Sequence, residues 1–351
     1  MRVDVPYCAS SFLIFRHIID RNKTFKSGII PSFNQPLPPY YLVQSKTDLE
    51  EAIRDYISGI DLSKTALMLS GGMDSAILAK YMPKGTKAYT FRSNIPGTTD
   101  ESPFAVEYAN MNDLDHEVID IDWQDFLDTA PRLMRRNGSP IHSITPQIYK
   151  AARIAKEAGY EILLFGENAD AVFGGLDGLL SQKRNLEEFI ARYSYVRPEK
   201  VLKNCIDMQG PFEEFLDKDG FIDAHAFIGK HFMNESTQSY VVACEEAGIQ
   251  FASPYNKMRH YDLDLDRVKS GESKYLIREL FVDLYNGQKP RKKTPMPRAV
   301  DKYLEEWKGP NHPEFKDGID ISQFSGDQKW MIYVLEWFLN MIESEKNGQS
   351  A

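Results

Sequence analysis

The chain has 351 residues, 42% of them hydrophobic, which suits a globular protein with more than one core. Fifty-one acidic against 42 basic residues give a formal net charge of -9 and argue against general affinity for nucleic acid or an anionic membrane. Three separated cysteines (Cys8, Cys205, Cys244) without a CxxC pair argue against a disulfide framework or a zinc knuckle. No run approaches the ~20 apolar residues of a membrane span, so a cytoplasmic protein is expected.

In chain order, residues 1–45 form a short segment of no clear class and a connector with prolines at 31, 36, 38 and 39. Residues 46–60, "KTDLEEAIRDYISGI", carry Leu49, Ile53, Tyr56, Ile57 and Ile60 at helical spacing. Strand and helix patterns then alternate: "KTALMLS", "DSAILAKYM", "KAYTFRS", "ESPFAVEYANMNDL", "HEVIDID", "DWQDFLDTAPRLMRRNG", "PQIYKAARIAKEAG", "YEILLFG" and "ADAVFGGLDGLLSQ". Short apolar strands between helices of ten or more residues predict an α/β domain over 46–185, with a parallel, doubly wound sheet covered on both faces. From 186 to 351 the period is helical with few strand signals, in "NLEEFIARYSYV", "PEKVLKNCIDMQGPFEEFL", "AHAFIGKHFMNESTQSYVVACEEAG", "SKYLIRELFVDLYNG" and "QKWMIYVLEWFLNMIESE". The last residues, "KNGQSA", are expected to fray.

Two stretches carry chemistry. In "ALMLSGGMDSAIL", residues 66–78, an apolar run ends at Ser70-Gly71-Gly72 and a helix starts beyond Asp74 and Ser75. The glycines let backbone approach an anion, and the serines offer hydroxyls. Asp74 repels phosphate unless a divalent cation lies between, so the combination implies a metal-bound polyphosphate. The plainer alternative is a glycine turn with Asp74 as a helix cap. In "LLFGENADAVFGG", residues 163–175, a second apolar run ends at Gly166, and Glu167 and Asp170 bring two more carboxylates to the same sheet edge. Here the alternative is a capping Asp170 and a solvated Glu167.

The first stretch resembles the SGGxDS loop of the N-type ATP pyrophosphatases, which cleave ATP between its α- and β-phosphates. The second resembles the GEGSDEVFGG segment of asparagine synthetases and their relatives. The resemblance implies an adenine nucleotide alpha hydrolase-like sheet, with ATP held by Met68, Ser70, Gly71, Gly72, Asp74, Ser75 and Gly166. It also implies Mg²⁺ on Asp74 and Asp170, and Glu167 near the acceptor in acid–base or intermediate chemistry. "GESKYLIRELF" resembles the family's G-x-x-K-x-x-I/L-R segment, placing Lys274 on the family's catalytic lysine and Arg278 one turn on. "SITPQIYKAARIAKEAG" and "ASPYNKMRHYDLDL" fall in the family's order. "QKPRKKTPMPR" puts five basic residues into 289–298, where Arg291 and Lys293 either screen the triphosphate or simply solubilise a loop. The chain departs from the pattern at Asn168-Ala169, in place of glycine–serine, and at Ala171, in place of glutamate, which puts recognition near Ala171 in doubt.

Glutamine-dependent relatives carry an N-terminal glutaminase with a cysteine after the initiator methionine. Here residue 2 is Arg2, Cys8 reads as a small apolar residue, and 45 residues precede the resemblance. The expectation is therefore an ATP-dependent, amide-forming ligase with a small-molecule carboxylate and ammonia or an amine as partners. A separate glutaminase or carrier is an open partner, and polysaccharide or natural-product biosynthesis an open setting. The alternatives are a superfamily enzyme of sulfur or base modification on tRNA and a non-catalytic ATP-binding homologue.

Overall fold

The computed structural model describes residues 1–34, 38–291 and 298–347. In chain order, the elements that build the site are α1 (Val5–Phe15), α2 (Lys46–Ser58), β1 (Thr65–Met68), α3 (Met73–Ala79), β2 (Lys87–Ser93), α4 (Ser102–Met111) and β3 (Asp115–Ile121). They continue with α5 (Trp123–Asn137), α6 (Thr145–Glu157), β4 (Ile162–Leu164), α7 (Ala169–Val172), α8 (Ala224–Phe232), a π-helical turn Met233–Thr237 and α9 (Gln238–Ala247). β5 (Gln250–Ala252), α10 (Tyr275–Leu284) and α11 (Gly326–Asn347) complete them.

The five strands pair in parallel in the order β3-β2-β1-β4-β5. β1 is central and buried at all four positions, as its unbroken apolar run requires. Its side chains alternate between two cores. Ala66 and Met68 join the cluster that holds α5, α6, α9 and α11, while Leu67, and Leu69 just past the strand, join the one that holds α2, α3, α4 and α10. The sheet is thus doubly wound, as the sequence predicts. The chain moves outward from β1 to β3 and then returns to β4 on the other side of β1. At that switch point, the loops after β1 and β4 lie side by side at the carboxyl ends of their strands, where α/β sheets bind ligands.

Three expectations need correction. β5 lies in the region read as helical, because three residues with a single buried position give no periodic signal. "PEKVLKNCIDMQGPFEEFL" holds only two four-residue helices, Pro198–Val201 and Gly210–Glu213. Its backbone bonds outward instead: Lys203 N–H donates to Glu314 O at 2.9 Å and Ile206 N–H to Ser10 Oγ at 3.0 Å. The stretch after residue 169 splits into α7 and a second four-residue helix, Asp177–Leu180, separated by Gly174 in the left-handed conformation (φ +78°). The proline at 36 and the end of the chain beyond 347 lie outside the described residues.

Candidate active site

The loop after β1 is closed by its own serines. Ser75 Oγ accepts from Ser70 N–H at 2.9 Å and lies 2.9 Å from Ser70 Oγ, and Gly72 N–H donates to Ser70 Oγ at 3.2 Å. A Cβ on Gly71 would come within 3.0 Å of Phe104 Cβ, so glycine lets the loop lie against α4. A Cβ on Gly166 would lie 2.9 Å from Ser75 N and 3.1 Å from Asp74 Cβ. Gly166 therefore serves first to let the two loops touch, a closer requirement than the approach to ligand read from the sequence.

That contact brings Asp74 and Asp170 together on one ammonium. Lys274 Nζ donates to Asp74 Oδ2 at 2.6 Å and Oδ1 at 2.9 Å, and lies 2.9 Å from Asp170 Oδ1. Its side chain is 4% exposed. Burial works against its charge, but the two carboxylates outweigh that and hold its pKa above the ordinary lysine value. Lys274 sits at the start of α10 with φ +55°, an unusual backbone for a residue with a Cβ. Gly175 leaves the space this arrangement needs, since a Cβ there would collide with Asp170 and lie 2.8 Å from Lys274 Cδ. Tyr255 donates its hydroxyl to the Asp74 carbonyl at 3.1 Å. Two carboxylates around one ammonium leave one excess negative charge. Hard oxygens in this number fit a divalent cation that takes its other ligands from phosphates and water.

Glu167 lies beside this cluster, half-buried in the wall of the same site. Ser236 Oγ donates to its Oε1 at 2.9 Å and Thr237 Oγ1 at 3.3 Å, with Tyr240 also bonded to the carboxylate. Burial pushes its pKa up to about 7, against the pull of these hydroxyls, and Asp170 nearby adds to the rise. Its carbonyl accepts from Ser253 Oγ at 2.7 Å. Asn168, where the family has glycine, is buried and adopts φ +77°; asparagine tolerates the left-handed backbone better than most residues, so the turn survives.

All these residues except Thr237, Asn168, Ser253 and Tyr255 line one cleft of about 810 Å³, as do Met68, Arg278 and Arg291. Arg278 Nε donates to Ser273 O at 2.6 Å. Arg291 is paired with Glu107 and lies 4.2 Å over the Phe104 ring, beside the first loop. Lys293 lies outside the described residues. Ala171 is 6% exposed within the apolar cluster below the cleft and is not part of its lining. The departure from glutamate there is a change of core packing.

Sequence reasoning missed the wall beyond Glu167. Arg16, at the end of α1, lines the cleft, its guanidinium donating to Glu235, set against His142 and lying 3.9 Å over the Tyr195 ring. Arg298 lines the same wall and pairs with Asp327 at 3.3 Å. The one mark of it in the sequence is the pair Arg16-His17, which breaks the apolar run of residues 11–15.

The family model for asparagine synthase matches residues 49–264, more than half of the chain. Curated proteins yield no match. Among solved structures, the U34-tRNA thiolase NcsA from Methanococcus maripaludis aligns over 83% of this chain and 80% of its own at 14% identity, with a TM-score of 0.34. A predicted subunit of tRNA methyltransferase from Methanocaldococcus jannaschii aligns over 67% of this chain and 93% of its own at 15% identity, with a TM-score of 0.24. Likenesses this slight carry no argument. The match over 49–264, together with the two loops that meet at Lys274, places the chain in the asparagine synthase family, a group of ATP-dependent synthetases of the PP-loop type.

Proposed function

We propose that the protein is a ligase that activates a substrate carboxylate with ATP and passes the acyl group to ammonia or an amine. The observation that carries this reading is the convergence of Asp74 and Asp170, from two different loops, on the buried Lys274, with Glu167 in the same cleft. The loop at residues 70–75 binds the phosphates that leave, and Asp74 and Asp170 hold Mg²⁺. When bound, that cation neutralises charge on the phosphates and makes pyrophosphate a better leaving group.

A carboxylate oxygen of the substrate bonds to the α-phosphorus as the bond to the β-phosphate bridge breaks, giving an acyl-adenylate and pyrophosphate. The amine nitrogen then bonds to the carbonyl carbon, and the bond from that carbon to AMP breaks. Lys274 stabilises negative charge on the phosphates and on the reacting carbonyl. Glu167, whose pKa burial pushes up to about 7, takes the proton that the amine loses.

A pyrophosphate-release screen over carboxylates, with Mg²⁺–ATP and ammonia present, tests this. Asp74→Ala is expected to lower carboxylate-dependent release by at least about a thousandfold, the scale of losing a main electrostatic stabiliser. Release by the variant at the wild-type rate would overturn the reading.

A further inference from the structure

The wall of the cleft runs without a break from the phosphate cluster to a pair of cations the ligase chemistry leaves unused. One π-helical turn, Met233–Thr237, makes the connection. Its Ser236 and Thr237 bond to Glu167, while its Glu235 holds Arg16. Such turns are rare and recur at functional sites.

Arg16 is fixed on three sides, by Glu235, by His142 and by the face of Tyr195. Glu235 in turn accepts from Tyr193 at 2.8 Å and Tyr195 at 2.6 Å, so two hydroxyls hold the carboxylate that anchors the guanidinium. The backbone of Arg16 is left-handed (φ +61°) at the end of a helix whose last eight residues are all buried. That conformation costs roughly 1–2 kcal/mol for a residue with a Cβ, and the packing of α1 enforces it.

Arg298 is the second cation of this wall. Its positive field acts on the same two residues, His142 and Tyr195, that Arg16 touches. Its carboxylate partner Asp327 is 3.3 Å away and 44% exposed. Exposed pairs of this kind contribute little, so an incoming anion can take the place of Asp327 at small cost. Burial together with Arg16 and Arg298 holds the His142 pKa well below its ordinary value, which keeps the ring neutral beside them.

We propose that Arg16 and Arg298 form an oxyanion subsite for the substrate, which carries a second anionic group, carboxylate or phosphate, besides the carboxyl that is activated. The proposal rests on the ligase reading above for which carboxyl reacts. The subsite itself rests on the two guanidinium groups. A rigid guanidinium favours planar, bidentate binding of either group. Because one turn holds both Arg16 and Glu167, an anion docked on Arg16 sets the distance from the rest of the substrate to Glu167, and so selects its length.

The test is calorimetry on the full chain, with and without Mg²⁺–ATP, using matched probes: glutarate against butyrate, and 3-phosphoglycerate against glycerate. One probe of each pair has the second anion. At least one dianion is expected to bind about tenfold or more tighter than its match, the scale of one charge-assisted contact. A preference for glutarate marks a carboxylate site, and one for 3-phosphoglycerate a phosphate site. Arg298→Gln should abolish the preference, as should Arg16→Lys if it folds; Arg298 is the more exposed residue and keeps the test valid if Arg16→Lys does not. Equal binding of matched probes by the wild type, or a preference that survives Arg298→Gln, would overturn the proposal. Failure of Mg²⁺–ATP to bind the wild type would instead contradict the ligase reading, and the preference without nucleotide still decides the subsite.

Discussion

Lys274 occupies the place between Asp74 and Asp170 that the ligase reading gives to a divalent cation. Removing its charge with Lys274→Met leaves two carboxylates facing each other, a loss of about 3 kcal/mol for a partner missing from a buried ion pair. In chelator, the variant is expected to melt below the wild type. Added Mg²⁺ should then raise its melting temperature more than that of the wild type, since the cation has no ammonium to displace. Equal rises would contradict the arrangement. Glu167 carries the second residue-level prediction. Its pKa near 7 places an inflection near that pH in the rate of amide formation, with activity rising as the carboxylate forms, and Glu167→Gln should remove it. The same shift sets a sign for stability. The folded chain holds this proton more tightly than the unfolded chain does. The contribution is complete below the ordinary carboxylate range and is lost as pH rises through about 7, so the wild type should lose stability relative to Glu167→Gln over that window.

At the scale of elements, the site depends on two strand-ending loops that touch at Gly166. Gly166→Ala puts a methyl 2.9 Å from Ser75 N, too close for backbone that cannot turn aside. We expect about 1–3 kcal/mol of destabilisation, typical of overpacking, and a clear loss of ATP affinity by titration; wild-type affinity would show that the loops need no such contact. These loops were legible in the sequence because each is local: an apolar strand, glycines, then carboxylates within ten residues. Lys274 was not legible in that way, since a lysine before an amphipathic helix looks solvated, and only the family resemblance marked it. The hydroxyls of Ser236, Thr237 and Tyr240 on Glu167 were hidden inside what reads as one long helix, because a π-helical turn leaves no mark on the hydrophobic period. β5 was missed because a strand that reads Gln-Phe-Ala has too few buried positions to show a period.

Across the whole molecule, both ends of the chain complete the core on one face of the sheet. Phe12 from α1 and Phe338 from α11 share that cluster with Met68 and Tyr89 of the sheet, and Phe25 meets Phe338 edge-on at 5.0 Å between ring centroids. α1 defied classification from sequence because a helix buried on nearly every side has no polar face to reveal its period. The same burial carries Arg16 to the cleft, from outside the matched residues 49–264, as does the chain beyond 264 with Lys274, Arg278 and Arg298. The family segment thus supplies the two strand-ending loops and Glu167, and the flanking chain supplies the cations around them. Activation of a carboxylate as its adenylate leaves an isotopic mark that labelling detects. A carboxylate that supports pyrophosphate release is enriched with heavy oxygen in its carboxyl group and turned over with ammonia, and the AMP is weighed by mass spectrometry. One labelled oxygen is expected in each AMP formed, because the attacking carboxylate oxygen leaves with the phosphorus. Unlabelled AMP, or label in inorganic phosphate with ADP as product, would contradict activation as the adenylate.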